Sequence, residues 1–133
     1  MIVADTNIIS YLFLPTVYSE RASQLYKKEA EWAAPSLWRS EFRNVLALYL
    51  RQNIITLAEA LMIQEEAEAL MADQEFTVTS IQVLSLTHSS SCSAYDCEFV
   101  ALAKQLDVKL VTQDKKMLRE FPEVAVSLDD FLN

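Results

Sequence analysis

The sequence predicts an α/β fold, a three-layer α/β/α sandwich in which helices cover both faces of a central, mostly parallel sheet and two of them form a helical hairpin. Three observations predict it. Short apolar runs alternate with longer amphipathic stretches, the order that builds parallel sheets clad in helices. The 133 residues, 52% of them hydrophobic, suit a single domain over residues 1–133 with a core of its own. Two acids, Asp5 after Ile2-Val3-Ala4 and Asp114 after Leu110-Val111-Thr112, lie just past probable strands, at the carboxyl ends where open α/β sheets keep their sites.

The elements follow in order. Ile2 to Ala4 reads as a strand, and Ile8 to Leu14 as a helix that Pro15 ends. A polar helix spans Tyr18 to Lys28, and a strand fits Trp32 to Ala34. Pro35 and Ser36 open an amphipathic helix reaching about Arg51, and a second runs from Leu57 to Ala72 behind the capping box Thr56-x-x-Glu59. These two make the hairpin. Phe76 to Val78 is a strand, Ile81 to His88 a helix, and the polar loop Ser89 to Cys92 leads to a helix from Ala94 to Leu106. Lys109 to Thr112 is the next strand. A short helix from Lys115 to Glu120, a strand at Val124 to Ser127 and a turn from Leu128 to Leu132 complete the pattern.

Composition excludes several functions. With no glycine, the chain has neither a dinucleotide fingerprint nor a P-loop, since both need glycine for close backbone approach to phosphate. Cys92 and Cys97, with only His88 beside them, make neither a disulfide framework nor a zinc set. No apolar run nears the roughly 20 residues of a membrane span, and Met1-Ile2-Val3 enters a strand without a basic leader, so a cytoplasmic protein is expected. The net charge of −8 argues against purely electrostatic binding to nucleic acid but leaves room for a nuclease whose acids a metal neutralises.

Two further acids lie within helices. Glu41 shares a stripe with Leu37, Val45 and Leu48, and Asp96 shares one with Phe99, Val100 and Ala103, each read as a buried face. A carboxylate there must be paired or metal-bound. Several converging carboxylates raise one another's pKa unless a hard divalent cation keeps them ionised. Taken singly, Asp5 and Asp114 are also good helix N-caps, and Asp96 suits a first helical turn. Capping does not explain Glu41. The bases Arg39, Arg43, Lys115, Lys116 and Arg119 adjoin the acids and are candidates for holding a phosphate backbone. Trp32, Trp38, Tyr49 and Phe99 are core or interface in the simplest reading, with Trp38 beside Arg39 also a candidate for stacking on a base.

The segments IVADTNIIS, PSLWRSEFRNVL, SAYDCEFVALAKQL and KLVTQDKKML together resemble, over essentially the whole chain, PIN-domain ribonucleases of the VapC type. The resemblance implies that Asp5, Glu41, Asp96 and Asp114 hold Mg²⁺ or Mn²⁺, with Thr112, Asn7 and Thr6 orienting them. It implies a metal-dependent endoribonuclease leaving 5′-phosphate and 3′-hydroxyl ends, the toxin of a type II toxin-antitoxin pair. A homodimer and a cognate antitoxin follow as partners, with apolar hairpin positions such as Leu46, Leu50, Leu57 and Leu61 available for contact. The alternative is a non-catalytic PIN module that binds RNA or a partner as a scaffold. At one position, Asp107, many relatives have glycine.

Overall fold

The structure is a computed structural model and describes residues 1–133. Five strands, β1 (Ile2–Ala4), β2 (Trp32–Pro35), β3 (Glu75–Phe76), β4 (Leu110–Val111) and β5 (Ala125–Val126), form one sheet in the order β3-β2-β1-β4-β5. Every pairing is parallel, so the sheet predicted as mostly parallel is wholly so. Ile2 lies opposite Trp32, Val3 opposite both Ala33 and Leu110, and Ala4 opposite Val111. The first strand is thus the middle of the sheet. All its residues are buried, which is why it reads as an unbroken apolar run rather than an alternating one.

Eight helices connect and cover the strands: α1 (Thr6–Phe13), α2 (Ser19–Lys28), α3 (Trp38–Arg51), α4 (Leu57–Met71), α5 (Ser80–His88), α6 (Ala94–Leu106), α7 (Lys115–Glu120) and α8 (Leu128–Leu132). Right-handed crossovers put α1 to α4 on one face and α5 to α7 on the other. On that second face α6 packs across β1, β2 and β4, with α5 against it. Its Phe99, Val100 and Ala103 are fully buried, as their stripe predicted. Trp32, Trp38 and Phe42 are equally buried, and thirty residues join in one core.

Several boundaries move for local reasons. Asp5 starts α1 at Thr6, earlier than the Ile8 expected from apolar spacing, by accepting a hydrogen bond from the Thr6 amide. Pro35 ends β2 opposite Phe76 instead of opening α3. The Thr56–Glu59 capping box forms as expected, with a second at Thr79 and Gln82 that the sequence reading overlooked. Glycine's absence has a visible answer: Asn53, Asp73 and Asp107 take positive φ, and Asp107 adopts the left-handed conformation (φ 54°, ψ 48°) that ends α6.

One expectation about α3 is overturned. Its buried residues are Trp38, Phe42 and Leu46, whereas Leu37 and Val45 are partly exposed and Leu48 is 50% exposed. The stripe carrying Glu41 therefore borders a cleft instead of the core. Leu46 is likewise core, leaving Leu57 and Leu61 as the exposed members of the hairpin's apolar positions, with Leu50 partly exposed. No helix is long and apolar enough to cross a membrane.

Candidate active site

The sheet order reverses between β1 and β4, and at the carboxyl ends of those two strands the backbone leaves a crevice. Asp5 leaves β1 there, its amide still bonded to the Val111 carbonyl at 3.1 Å. The residue is buried, 7% exposed. One carboxylate oxygen accepts from the Thr6 amide at 2.8 Å; the other accepts from the Thr112 hydroxyl at 2.7 Å and, at 3.4 Å, from the Asn7 side-chain amide. Thr112, fully buried after β4, also accepts from the Asp114 amide at 3.0 Å. A single hydroxyl thus ties the ends of β1 and β4 together. Asn7 reaches across the same seam, accepting from the Gln113 amide at 3.4 Å.

Glu41 comes in from α3 and accepts the Thr6 hydroxyl at 2.7 Å, so residue 6 bonds Asp5 through its backbone and Glu41 through its side chain. Asp96 sits in the first turn of α6, where Ser93 caps the helix by accepting from the Asp96 amide. Asp114 caps α7 through one oxygen, taking the Met117 amide at 3.0 Å. The capping expected of Asp114 is real, and it occupies only part of that carboxylate's bonding capacity.

Burial pushes the Asp5 carboxyl from 3.8 up to about 7, against the Thr112 and Thr6 hydrogen bonds that pull it down, and repulsion from Glu41 and Asp96 adds to the rise. Burial also raises Glu41, with Asp96 and Glu98 repelling it. Asp96 is raised by burial and then by Asp114, with Ser93 and Lys116 opposing. These mutual repulsions place the four acids in one electrostatic neighbourhood. Glu98, also raised by burial, is an acid the sequence reading did not single out.

The predicted bases fare unequally. Arg39 is drawn away: its guanidinium donates to both oxygens of Glu75 at 2.7 Å and to Glu68 at 2.8 Å, clasping α3 to α4 and β3. Trp38 donates to the same Glu75 at 2.8 Å and is fully buried, so it offers no stacking surface. The fork geometry of Arg and the buried ring fix both residues as parts of the scaffold. Arg43 lies 3.9 Å from Glu68 and is mostly exposed. Lys115 and Lys116 are exposed at the start of α7, and Lys116 acts electrostatically on Asp96. His88 is exposed.

A cleft of about 630 Å³ opens from Asp5, Thr6, Asn7 and Glu41 along Leu37, Ser40, Asn44 and Val45 of the α3 region to Tyr95 of α6. Ser40, Asn44 and Tyr95 lie within the segments PSLWRSEFRNVL and SAYDCEFVALAKQL, but the sequence reading singled out none of them. As placed, no three of the His, Cys, Asp and Glu side chains form a group able to hold a metal ion together. Their oxygens face hydroxyl and amide donors instead. The chemistry of the donors nevertheless suits a hard divalent cation: all are carboxylates, and none of the four takes part in any of the ion pairs.

The PIN-domain family model matches residues 2–124 of this chain, and the chain belongs to that family. Among characterised proteins it is 27% identical over 124 residues to Ribonuclease VapC3 of Pyrobaculum aerophilum, a match spanning 91% of this chain and 95% of the relative. Two solved structures share the fold. PAE2754 of Pyrobaculum aerophilum aligns with a TM-score of 0.78 at 18% identity, over 98% of this chain and 92% of its own. FitAcB of Neisseria gonorrhoeae aligns with a TM-score of 0.72 at 20% identity, over 96% and 98%.

Proposed function

We propose that this PIN domain is a metal-dependent endoribonuclease that hydrolyses RNA phosphodiester bonds and serves as the toxin of a type II toxin-antitoxin pair. The observation that carries the proposal is the buried Asp5 carboxylate at the switch point, sharing its cleft with Glu41 and repelled by Asp96, which Asp114 repels in turn. Keeping such acids together without a counter-charge costs stability, which points to a use for them.

Asp5, Glu41, Asp96 and Asp114 would hold Mg²⁺ or Mn²⁺. When bound, such an ion supplies a water of lowered pKa and a neutralising charge for the scissile phosphate. The chain's own residues do the rest. The Thr6 amide and the Thr112 hydroxyl fix the rotamer of Asp5, and the Thr6 hydroxyl fixes Glu41. Both acids are thereby oriented before substrate arrives, which lowers the reorganisation that catalysis must otherwise include. Lys115 and Lys116, exposed on α7 close to Asp114, are suited to hold the phosphates flanking the cut, with Arg43 a further candidate on α3.

Similarity to Ribonuclease VapC3 supports RNA as the substrate. A further structural neighbour, FitAB, was solved bound to an IR36 DNA fragment, and it matches with a TM-score of 0.70. A cognate antitoxin and a homodimeric assembly in the cytoplasm belong to the same reading, and exposed Leu57, Leu61 and Met62 of α4 are available for protein contact. The test is to incubate antitoxin-free protein with total RNA in Mg²⁺ or Mn²⁺, with and without EDTA, beside an Asp5→Asn, Asp96→Asn double variant, and to map new 5′ ends. Discrete metal-dependent cuts absent from the variant are expected; intact tRNA and rRNA with folded, metal-bound protein would favour a non-catalytic scaffold.

A further inference from the structure

The cleft beside the acids has a wall that the hydrolytic chemistry does not use. Tyr95 precedes Asp96 in the first turn of α6 and is 63% exposed, although a tyrosine next to the packed Phe99 face has ample opportunity for burial. Its side chain makes no hydrogen bond and no aromatic pair within the chain. Leu37 and Val45 of the α3 region border the same cleft, partly exposed, and between them in sequence stand Ser40 and Asn44, both exposed and free of side-chain hydrogen bonds. Every other tyrosine is at least partly covered. A ring and two aliphatic side chains, with a hydroxyl and a carboxamide among them, adjoin carboxylates at one end of a volume of about 630 Å³.

From this arrangement we infer that Tyr95 is a stacking residue for a nucleobase flanking the scissile phosphate, with Asn44 and Ser40 placed to hydrogen-bond that base. The inference rests on the nuclease reading and adds to it a determinant of where the RNA is cut. Three physical points carry it. An exposed aromatic ring beside a phosphodiester-cleaving centre offers a π-face that any unpaired base can use, whereas paired bases have theirs occupied. The site is therefore one for single-stranded RNA. The carboxamide of Asn44 carries both donors and an acceptor, so it can discriminate among base edges where the Ser40 hydroxyl, which does either, cannot. Finally, Tyr95 and Asp96 are adjacent on one rigid helical turn, so a base stacked on the ring has its phosphate held at a fixed offset from the acids.

The experiment has a cleavage arm and a binding arm. In the first, wild type, Tyr95→Ala, Tyr95→Phe and Asn44→Ala digest total RNA in Mg²⁺, and the mapped 5′ ends are followed by steady-state kinetics on an oligonucleotide spanning the main cut. Tyr95→Ala is expected to raise KM by roughly five- to a hundredfold, the range that loss of one stacked base implies, with kcat changed far less. Tyr95→Phe restores KM because the π-face returns, and Asn44→Ala broadens base preference next to the cut. In the second arm, labelled single-stranded rA, rC, rG and rU 12-mers and a 12-bp RNA duplex are titrated by fluorescence anisotropy in Ca²⁺. Single strands are expected to bind more tightly than the duplex, and Tyr95→Ala to lose that preference.

An unchanged KM and cut pattern in Tyr95→Ala, or equal single-strand affinity in wild type and Tyr95→Ala, overturns the stacking role while leaving the nuclease intact. If wild type cuts nothing yet binds single strands through Tyr95, the nuclease reading fails and the base site stands. If it neither cuts nor binds, both fall. Equal losses in Tyr95→Ala and Tyr95→Phe would also overturn the proposal, since they would locate the effect in the phenolic hydroxyl.

Discussion

Replacing Asp5 by asparagine is expected to make the metal-free protein more stable at pH 8, although it removes a residue at the centre of the candidate site. In the unfolded chain Asp5 ionises near 3.8, but in the folded chain burial defers ionisation to about 7. A folded pKa raised in this way gives stability that is fully present below pH 3.8 and is lost as pH climbs through 7. At 1.36 kcal/mol per unit the displaced titration amounts to about 4 kcal/mol at pH 8, an upper figure for what asparagine can recover. Asparagine has one accepting side instead of two. If its oxygen keeps the Thr6 amide, its amide faces Thr112, whose hydroxyl must turn from donor to acceptor while already accepting from the Asp114 amide. That conflict costs about 1–3 kcal/mol, leaving a net gain of roughly 1–3 kcal/mol at pH 8. The gain shrinks through pH 6 and is replaced by a net loss at pH 4. Urea unfolding in EDTA at pH 4, 6 and 8 reads it directly. An Asp5→Asn variant less stable than wild type at pH 8, or a difference independent of pH, refutes the argument that the site is held against a desolvation penalty.

The other predictions concern the surroundings of that acid. Calorimetric Mn²⁺ affinity is expected to fall as pH drops below about 7, by up to tenfold per unit, because the proton on Asp5 competes with the ion; a flat profile from pH 8 to 6 removes Asp5 from the ligand set. Thr112→Val, which deletes the bonds to Asp5 and from the Asp114 amide, is expected to lower RNA cleavage about 10- to 100-fold and stability by about 1–3 kcal/mol, measured by initial rates and urea midpoints. Arg39→Ala is expected to lower the thermal midpoint while leaving single-strand RNA affinity at the wild-type value, since its guanidinium serves Glu75 and Glu68. Asp107→Gly is expected to add about 0.5–1 kcal/mol in urea unfolding by relieving the left-handed residue at the end of α6, without changing cleavage rate.

The fold was legible because β1 and β4 are buried on both faces and so read as unbroken apolar runs, and because Pro15 and the Thr56–Glu59 box mark their helix ends openly. Asp5 and Asp114 could be seen as candidates from their place after those runs. Glu41 was noticed for a reason the structure corrects: its stripe faces a cleft, and a sequence stripe cannot say whether the far side of a helix meets core or a groove. Arg39 was misjudged for a related cause, whereas Trp38 is core, as its simplest reading has it. The partner of Arg39, Glu75, lies 36 residues away, and no local pattern announces a pairing set by the α3–α4 hairpin. The exposure of Tyr95 was not legible because, for an aromatic on an otherwise packed helix, it is decided by what stands opposite, and that comes from α3.

The central place of the first strand has a consequence for how such a protein is made. Asp5 and Thr112 bond across 107 residues of sequence, and β1 has a neighbour on one side only until β4 is available to pair with it. Contacts of that span form late, after the entropy of closing a long loop has been met. On the ribosome, a nascent chain carrying Asp5, Glu41 and Asp96 therefore holds an incomplete cleft until the segment around 110–114 emerges. Under the proposed reading, the centre is complete only once that segment has joined the sheet beside β1.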